Sequence, residues 1–239
     1  MNTGYNSYTD KKLPLVTGLS LLIMAIVAGI GYGFAFPQIY IRDNAPVTFT
    51  NLTNNNHLFI CLIVCFLVIF LLDLLLCWSL YRLLQQVNNR LAIIMALTRL
   101  LYTIILGWAI LHLLMIPSHM HEVTAPTAVM YRFNSFLTIW SLGLIVFGLH
   151  LVLLGCLLVK IPTIPKVISY MAVFAGLCYL LTNMVARFWP GYAAYSGTVD
   201  MALSLPMALG ELLLATWLLV KRERWNKLPG PRYVSPDMA

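Results

Sequence analysis

The chain has 239 residues, 61% of them hydrophobic and 10% charged, whereas soluble domains run near half apolar and about a quarter charged. This balance argues against a water-soluble enzyme, a disordered chain and a nucleic-acid-binding module, and the formal charge of +7 is explained below by its placement at one membrane face. Cys61, Cys65, Cys77, Cys156 and Cys178 all fall inside apolar runs, so no disulfide framework is implied.

Six apolar segments reach the roughly 20 helical residues that a bilayer crossing takes. They lie near 13–36, 57–81, 91–116, 135–159, 167–187 and 201–220. The first exceeds a signal-peptide core and lacks a small-residue cleavage site behind it, so it is expected to stay in the mature protein. The second carries no charge from Leu58 to Leu72. Val87-Asn88-Asn89 turns it into the third. Ile161-Pro162-Thr163-Ile164-Pro165 joins the fourth to the fifth, where proline cannot continue a helix and restricts the residue before it. Such short joints make antiparallel hairpins of segments 2–3 and 4–5. In the sixth, Pro206 removes an amide donor and is expected to bend the helix. The runs are continuous and do not alternate with period two, which predicts helices rather than barrel strands. The expectation is an all-α polytopic membrane protein: one domain over 1–239, a six-transmembrane-helix bundle and a basic tail over 221–239.

Lys and Arg set the orientation. Lys11, Lys12, Arg82, Arg90, Lys160, Lys166, Lys221, Arg222, Arg224, Lys227 and Arg232 share one side, against Arg42, Arg132 and Arg187 on the other. Eleven against three predicts both termini in the cytoplasm of a multi-pass protein of the cell membrane. The tail from Lys221 to Lys227 suits anionic lipid headgroups, not nucleic acid. Trp140, Trp189, Tyr192 and Tyr195 at the outer edge, with Trp78 and Trp225 at the inner one, read as interfacial aromatics.

Charges within a span are expensive and each needs a reason. Asp73, Arg99 and Glu211 are such charges, and His150 is a titratable imidazole beside them. Asp73 lies nine residues from Arg82, Arg99 nine from Arg90, His150 ten from Lys160 and Glu211 ten from Lys221. At about 1.5 Å per helical residue all four sit about 14–15 Å from the cytoplasmic edge, near the midplane of a core roughly 30 Å thick. The helical face of Glu211 carries Ser204, Met207, Ala208, Leu214, Ala215 and Leu218. That of His150 carries Gly143, Phe147 and Leu154, with Gly148 and Gly155 alongside. Small residues there let neighbouring backbones approach.

Two readings follow. In one, Asp73 and Glu211 pair with Arg99, His150 bonds within the same network, and the layer only fixes helix packing. In the other, the layer binds or transports a small ligand, an ion or a proton. Two carboxylates against one guanidinium leave an excess negative charge for a proton, a His150 cation or a bound cation to balance.

The stretches Leu72-Asp73-Leu74 through Leu80-Tyr81-Arg82-Leu83-Leu84, then Phe147-Gly148-Leu149-His150 through Leu154-Gly155-Cys156-Leu157, resemble a bacterial membrane family called domain of unknown function 4386. So does Gly210-Glu211-Leu212 followed by Trp217-Leu218-Leu219. The resemblance runs from the first to the sixth segment and is least in the outer loops. It implies a multi-helix bacterial membrane protein without an assigned activity, and no catalytic residue or cofactor comes with it.

Other constellations carry less. His57, His112, His119, His121 and Glu122 gather on the outer side and are ligand types that zinc and copper take, but no strict ligand spacing such as C-x-x-C or H-E-x-x-H occurs. His112 and His150 stand at different depths, about 33 and 15 Å from the cytoplasmic edge, so they do not form one haem axial pair. Asp73, His150 and a hydroxyl from Ser79, Ser141 or Ser204 would be needed for intramembrane hydrolysis, and no nucleophile motif accompanies them. Cys61 and Cys65 share a helical face and read as small apolar residues.

Overall fold

The computed structural model describes residues 7–119, 125–189, 191 and 196–221. His121, Glu122, Tyr192, Tyr195, Trp225 and the basic tail from 222 onward lie outside the described residues, as do the side chains of His119 and Ser204.

The chain is helical, with no strand among the described residues. Helix α1 (Ser7–Ala28) runs on through a π-helical stretch, Gly29–Ala35, into α2 (Phe36–Ile39). There follow α3 (Ala45–Asn54), α4 (Asn56–Leu84), α5 (Asn89–Leu114), α6 (Ile116–His119), α7 (Ala125–Leu158), α8 (Lys166–Phe188) and α9 (Ser196–Val220). Five stretches are long and apolar enough to cross a bilayer: Lys12–Ile39, Asn56–Leu84, Asn89–Leu114, Ala125–Leu158 and Lys166–Phe188. In α9 the apolar stretch Leu205–Val220 is shorter than a full span. Helices satisfy every backbone group within one segment, which is why a chain this apolar adopts them in lipid.

Polar side chains set the helix boundaries. The Asn88 side chain accepts a hydrogen bond from the Leu91 amide at 3.0 Å and starts α5. Asn44 does the same for α3, accepting from the Val47 amide at 3.1 Å, with Pro46 in the first turn. Asp43 just before it takes a left-handed φ of 58°, a conformation that Asp tolerates in turns. The Thr48 hydroxyl then ties this turn down, accepting from the Ile41 amide at 3.0 Å and donating to the Ile41 carbonyl at 3.1 Å. On the same side the Tyr40 phenol donates to Asn134 Oδ1 at 2.7 Å, and burial raises its pKa against the opposing pull of Arg42.

Two of these features depart from the sequence expectation. The first outer loop contains a helix, α3, rather than irregular chain. The fourth segment begins at Ala125 instead of 135 and continues for 34 residues, about 51 Å of helix. Its first turns carry Arg132 and Asn134, which interrupt the apolar run without interrupting the helix.

The six long helices pack in a closed ring: α1 against α4, then α5, α7, α8 and α9, which returns to α1. Lipid gives no hydrophobic drive between helices, so close backbone approach and dispersion hold them. Glycine makes that approach possible. A Cβ on Gly148 would stand 2.7 Å from the Gly176 carbonyl oxygen, and one on Gly176 would stand 2.6 Å from that of Gly148. Helices α7 and α8 therefore touch backbone to backbone. At another joint a Cβ on Gly18 would lie 2.9 Å from Leu219 Cγ. This contact joins the first half of the Lys12–Ile39 span to the end of α9, so the start of that span and the finish of α9 lie at the same end of the ring.

Candidate functional site

Arg99 is the largest fully buried side chain among the described residues, and it stands where five of the six ring helices meet. Its Nε donates to Asp73 Oδ1 at 2.9 Å and its Nη2 pairs with the same oxygen at 2.7 Å, binding α4 to α5. Its Nη1 donates to Glu211 Oε1 on α9 at 2.7 Å and lies 3.0 Å from His150 Nε2 on α7. Nη2 also reaches Met24 Sδ on α1 at 3.7 Å. The flat guanidinium presents five N–H donors in a fixed fork, which is what lets one side chain address four helices at once. The Phe147 ring closes one side, 5.5 Å from the guanidinium carbon, and Tyr102 and Tyr179 pack on that ring in turn.

The structure thus brings Asp73, Arg99, His150 and Glu211 into one cluster. Met24 and the Met95 carbonyl join it unforeseen. A thioether carries no charge to flag it, and a backbone carbonyl leaves no mark in a sequence. His150 donates from Nδ1 to Met95 O at 2.9 Å and turns Nε2 toward the arginine donor. One nitrogen donating and the other accepting defines the neutral imidazole. A His150 cation would set an N–H against a guanidinium N–H, so the excess negative charge of the cluster is not balanced there. Neither His150 nitrogen faces a serine: Ser141 donates instead to Asn183 Oδ1 at 3.0 Å.

Asp73, Arg99 and His150 are fully buried, and the Glu211 side chain is 12% exposed. Asp73 Oδ2 is buried with no hydrogen-bond partner among the described residues. An ionised carboxylate oxygen in that position loses its hydration without replacement, which costs several kcal/mol on the usual scales, whereas a protonated one costs much less.

The outer-side residues are placed separately. His57 is exposed at the start of α4, and His112 is half-buried near the end of α5 with its Nδ1 lacking a hydrogen-bond partner among the described residues. No group of three His, Cys, Asp or Glu side chains is positioned to hold a metal ion among the described residues. Cys61 and Cys65 are free thiols.

An all-helical chain with five helices long and apolar enough to span a bilayer, enclosing a charged cluster, is a multi-pass membrane protein. The chain belongs to the family described as domain of unknown function DUF4386, which matches residues 16–221. An uncharacterized protein of the archaeon Archaeoglobus fulgidus is 30% identical over 166 residues, covering 70% of this chain and 86% of its own. No solved structure matches the chain.

Proposed function

We propose that this is a six-span protein of the cytoplasmic membrane, with both termini inside, whose Arg99 cluster binds one exchangeable proton. The span count rests on α9 completing the ring, and the orientation on the excess of Lys and Arg at the end where α1 begins and α9 finishes. The proton reading rests on charge balance. Two carboxylates face one guanidinium, His150 is held neutral by its two hydrogen bonds, and Asp73 Oδ2 lacks a hydrogen-bond partner among the described residues. A proton on Asp73 makes the cluster neutral and leaves Glu211 paired with Arg99. Intramembrane carboxylates that carry protons are a recurrent device of membrane proteins. Full burial of three of the four members favours a proton over an organic ligand. The competing reading is a packing device, favoured by the way Arg99 ties four neighbouring helices together.

Labelling with a hydrophobic carbodiimide separates the two. The acid O–H adds across a C=N bond of the reagent, and the adduct retains the whole reagent mass. Folded wild type should take up one equivalent on Asp73 or Glu211. Asp73→Asn and Glu211→Gln should each abolish the adduct, because either leaves a balanced ion pair with no proton to carry. A folded wild type that stays unlabelled, or single variants labelled as strongly as wild type, would contradict the proton reading.

A further inference from the structure

The outward face of α8 carries its residues in a definite order. Lys166 opens the helix, and Tyr170, Phe174 and Leu177 follow on the same side at helical spacing. All four are exposed, whereas Ile168, Ser169, Ala172, Ala175 and Gly176 are buried toward the ring. In a bilayer this stripe meets lipid. It sets a cation at headgroup level, a phenol about 6 Å deeper, and then an aromatic ring and a leucine at the depth of the acyl chains.

A second cation stands beside the first. The Lys166 ammonium donates to the carbonyl of Val159 at the end of α7, and the next residue is the exposed Lys160. That hydrogen bond takes one of the three ammonium donors and leaves two. The carboxylates whose side chains the structure describes are Asp43, Asp73 and Glu211. The first lies in the turn before α3, and the other two pair with Arg99. Neither lysine is therefore matched by a carboxylate among the described residues. Two like charges held at one joint above an apolar stripe suit an anion that brings its own hydrocarbon.

We propose that an anionic phospholipid docks at the joint between α7 and α8. Its phosphate meets Lys160 and Lys166, its glycerol lies level with Tyr170, and one acyl chain runs along Phe174 and Leu177. The lysine pair supplies the selectivity, because basic groups at the membrane edge attract acidic headgroups. A zwitterionic lipid gains less there, since its own ammonium opposes the lysines. This inference goes beyond the proton reading and does not depend on it.

Native mass spectrometry of the protein released from nanodiscs of equal phosphatidylglycerol and phosphatidylcholine tests it. Wild type should retain one phosphatidylglycerol in preference to phosphatidylcholine. Lys160→Gln combined with Lys166→Gln should lower that preference by about fivefold per lysine. Lys12→Gln combined with Arg82→Gln makes the same charge change on α1 and α4 and should leave the preference near that of wild type. The basic tail is common to every variant and drops out of the comparison. Lys166 also ties α8 to the end of α7, so Lys160→Gln alone, which keeps that hydrogen bond, provides a second reading with about a fivefold loss. Absence of any preference in wild type would overturn the site. So would an equal loss in the two double variants, or a Lys160→Gln protein that binds as wild type does.

Discussion

At the scale of single residues, Arg99 and Glu211 are not equivalent partners. Removing Arg99 leaves two buried carboxylates facing each other without a counter-charge, and breaking a buried pair in this way costs about 3–5 kcal/mol. Removing the charge of Glu211 leaves Arg99 balanced by Asp73. Arg99→Gln should therefore lower the yield of monodisperse protein in mild detergent well below that of Glu211→Gln, as read by size-exclusion chromatography. Equal yields would mean that Arg99 does not organise the cluster. The four polar members were legible because a charge inside an apolar run needs a partner, and all four stand nine or ten residues from a basic helix end. Their partners were legible only in part. Met24 has no signal in the sequence, and the role of the Met95 carbonyl depends on how α5 and α7 are rotated against each other. The neutrality of His150 likewise follows only from which group faces each nitrogen.

At the scale of elements, the helices of the span region could be read from apolar runs and their joints from Asn and Pro. The departures have local causes. Helix α3 is short and its span-like hydrophobicity is absent, so only Asn44 and Pro46 announce it. The outer turns of α7 contain Arg132 and Asn134, which end a hydropathy run but not a hydrogen-bonded helix. The π-helical stretch Gly29–Ala35 has no period of its own to detect, yet it brings Gly31 against α4, where a Cβ would stand 2.7 Å from that of Cys65. Glycine content is informative at this scale when its neighbours are known. Gly176→Val forces a side chain into the α7 backbone and should destabilise the protein by about 1–3 kcal/mol, the usual range for overpacking. Gly33→Ala meets nothing within 4 Å and should leave the melting temperature near that of wild type. Thermal aggregation in one detergent checks both, and a Gly176→Val protein as stable as Gly33→Ala would contradict the backbone contact between α7 and α8.

At the scale of the whole molecule, the ring encloses a charged cluster that five of its six helices build together. No single helix shows this cluster: it emerges when Asp73 of α4, His150 of α7, Glu211 of α9 and Met24 of α1 meet Arg99 of α5. The central claim is that the closed ring holds a net-neutral cluster with one proton on a carboxylate. Infrared spectroscopy in the carboxyl-stretch region, on wild type and two variants in lipid at neutral pH, tests it most directly. The account predicts a protonated-carboxyl band in wild type that disappears in both Asp73→Asn and Glu211→Gln, because each variant balances Arg99 with the remaining carboxylate. A wild-type spectrum without that band, or a band unchanged in both variants, would contradict it.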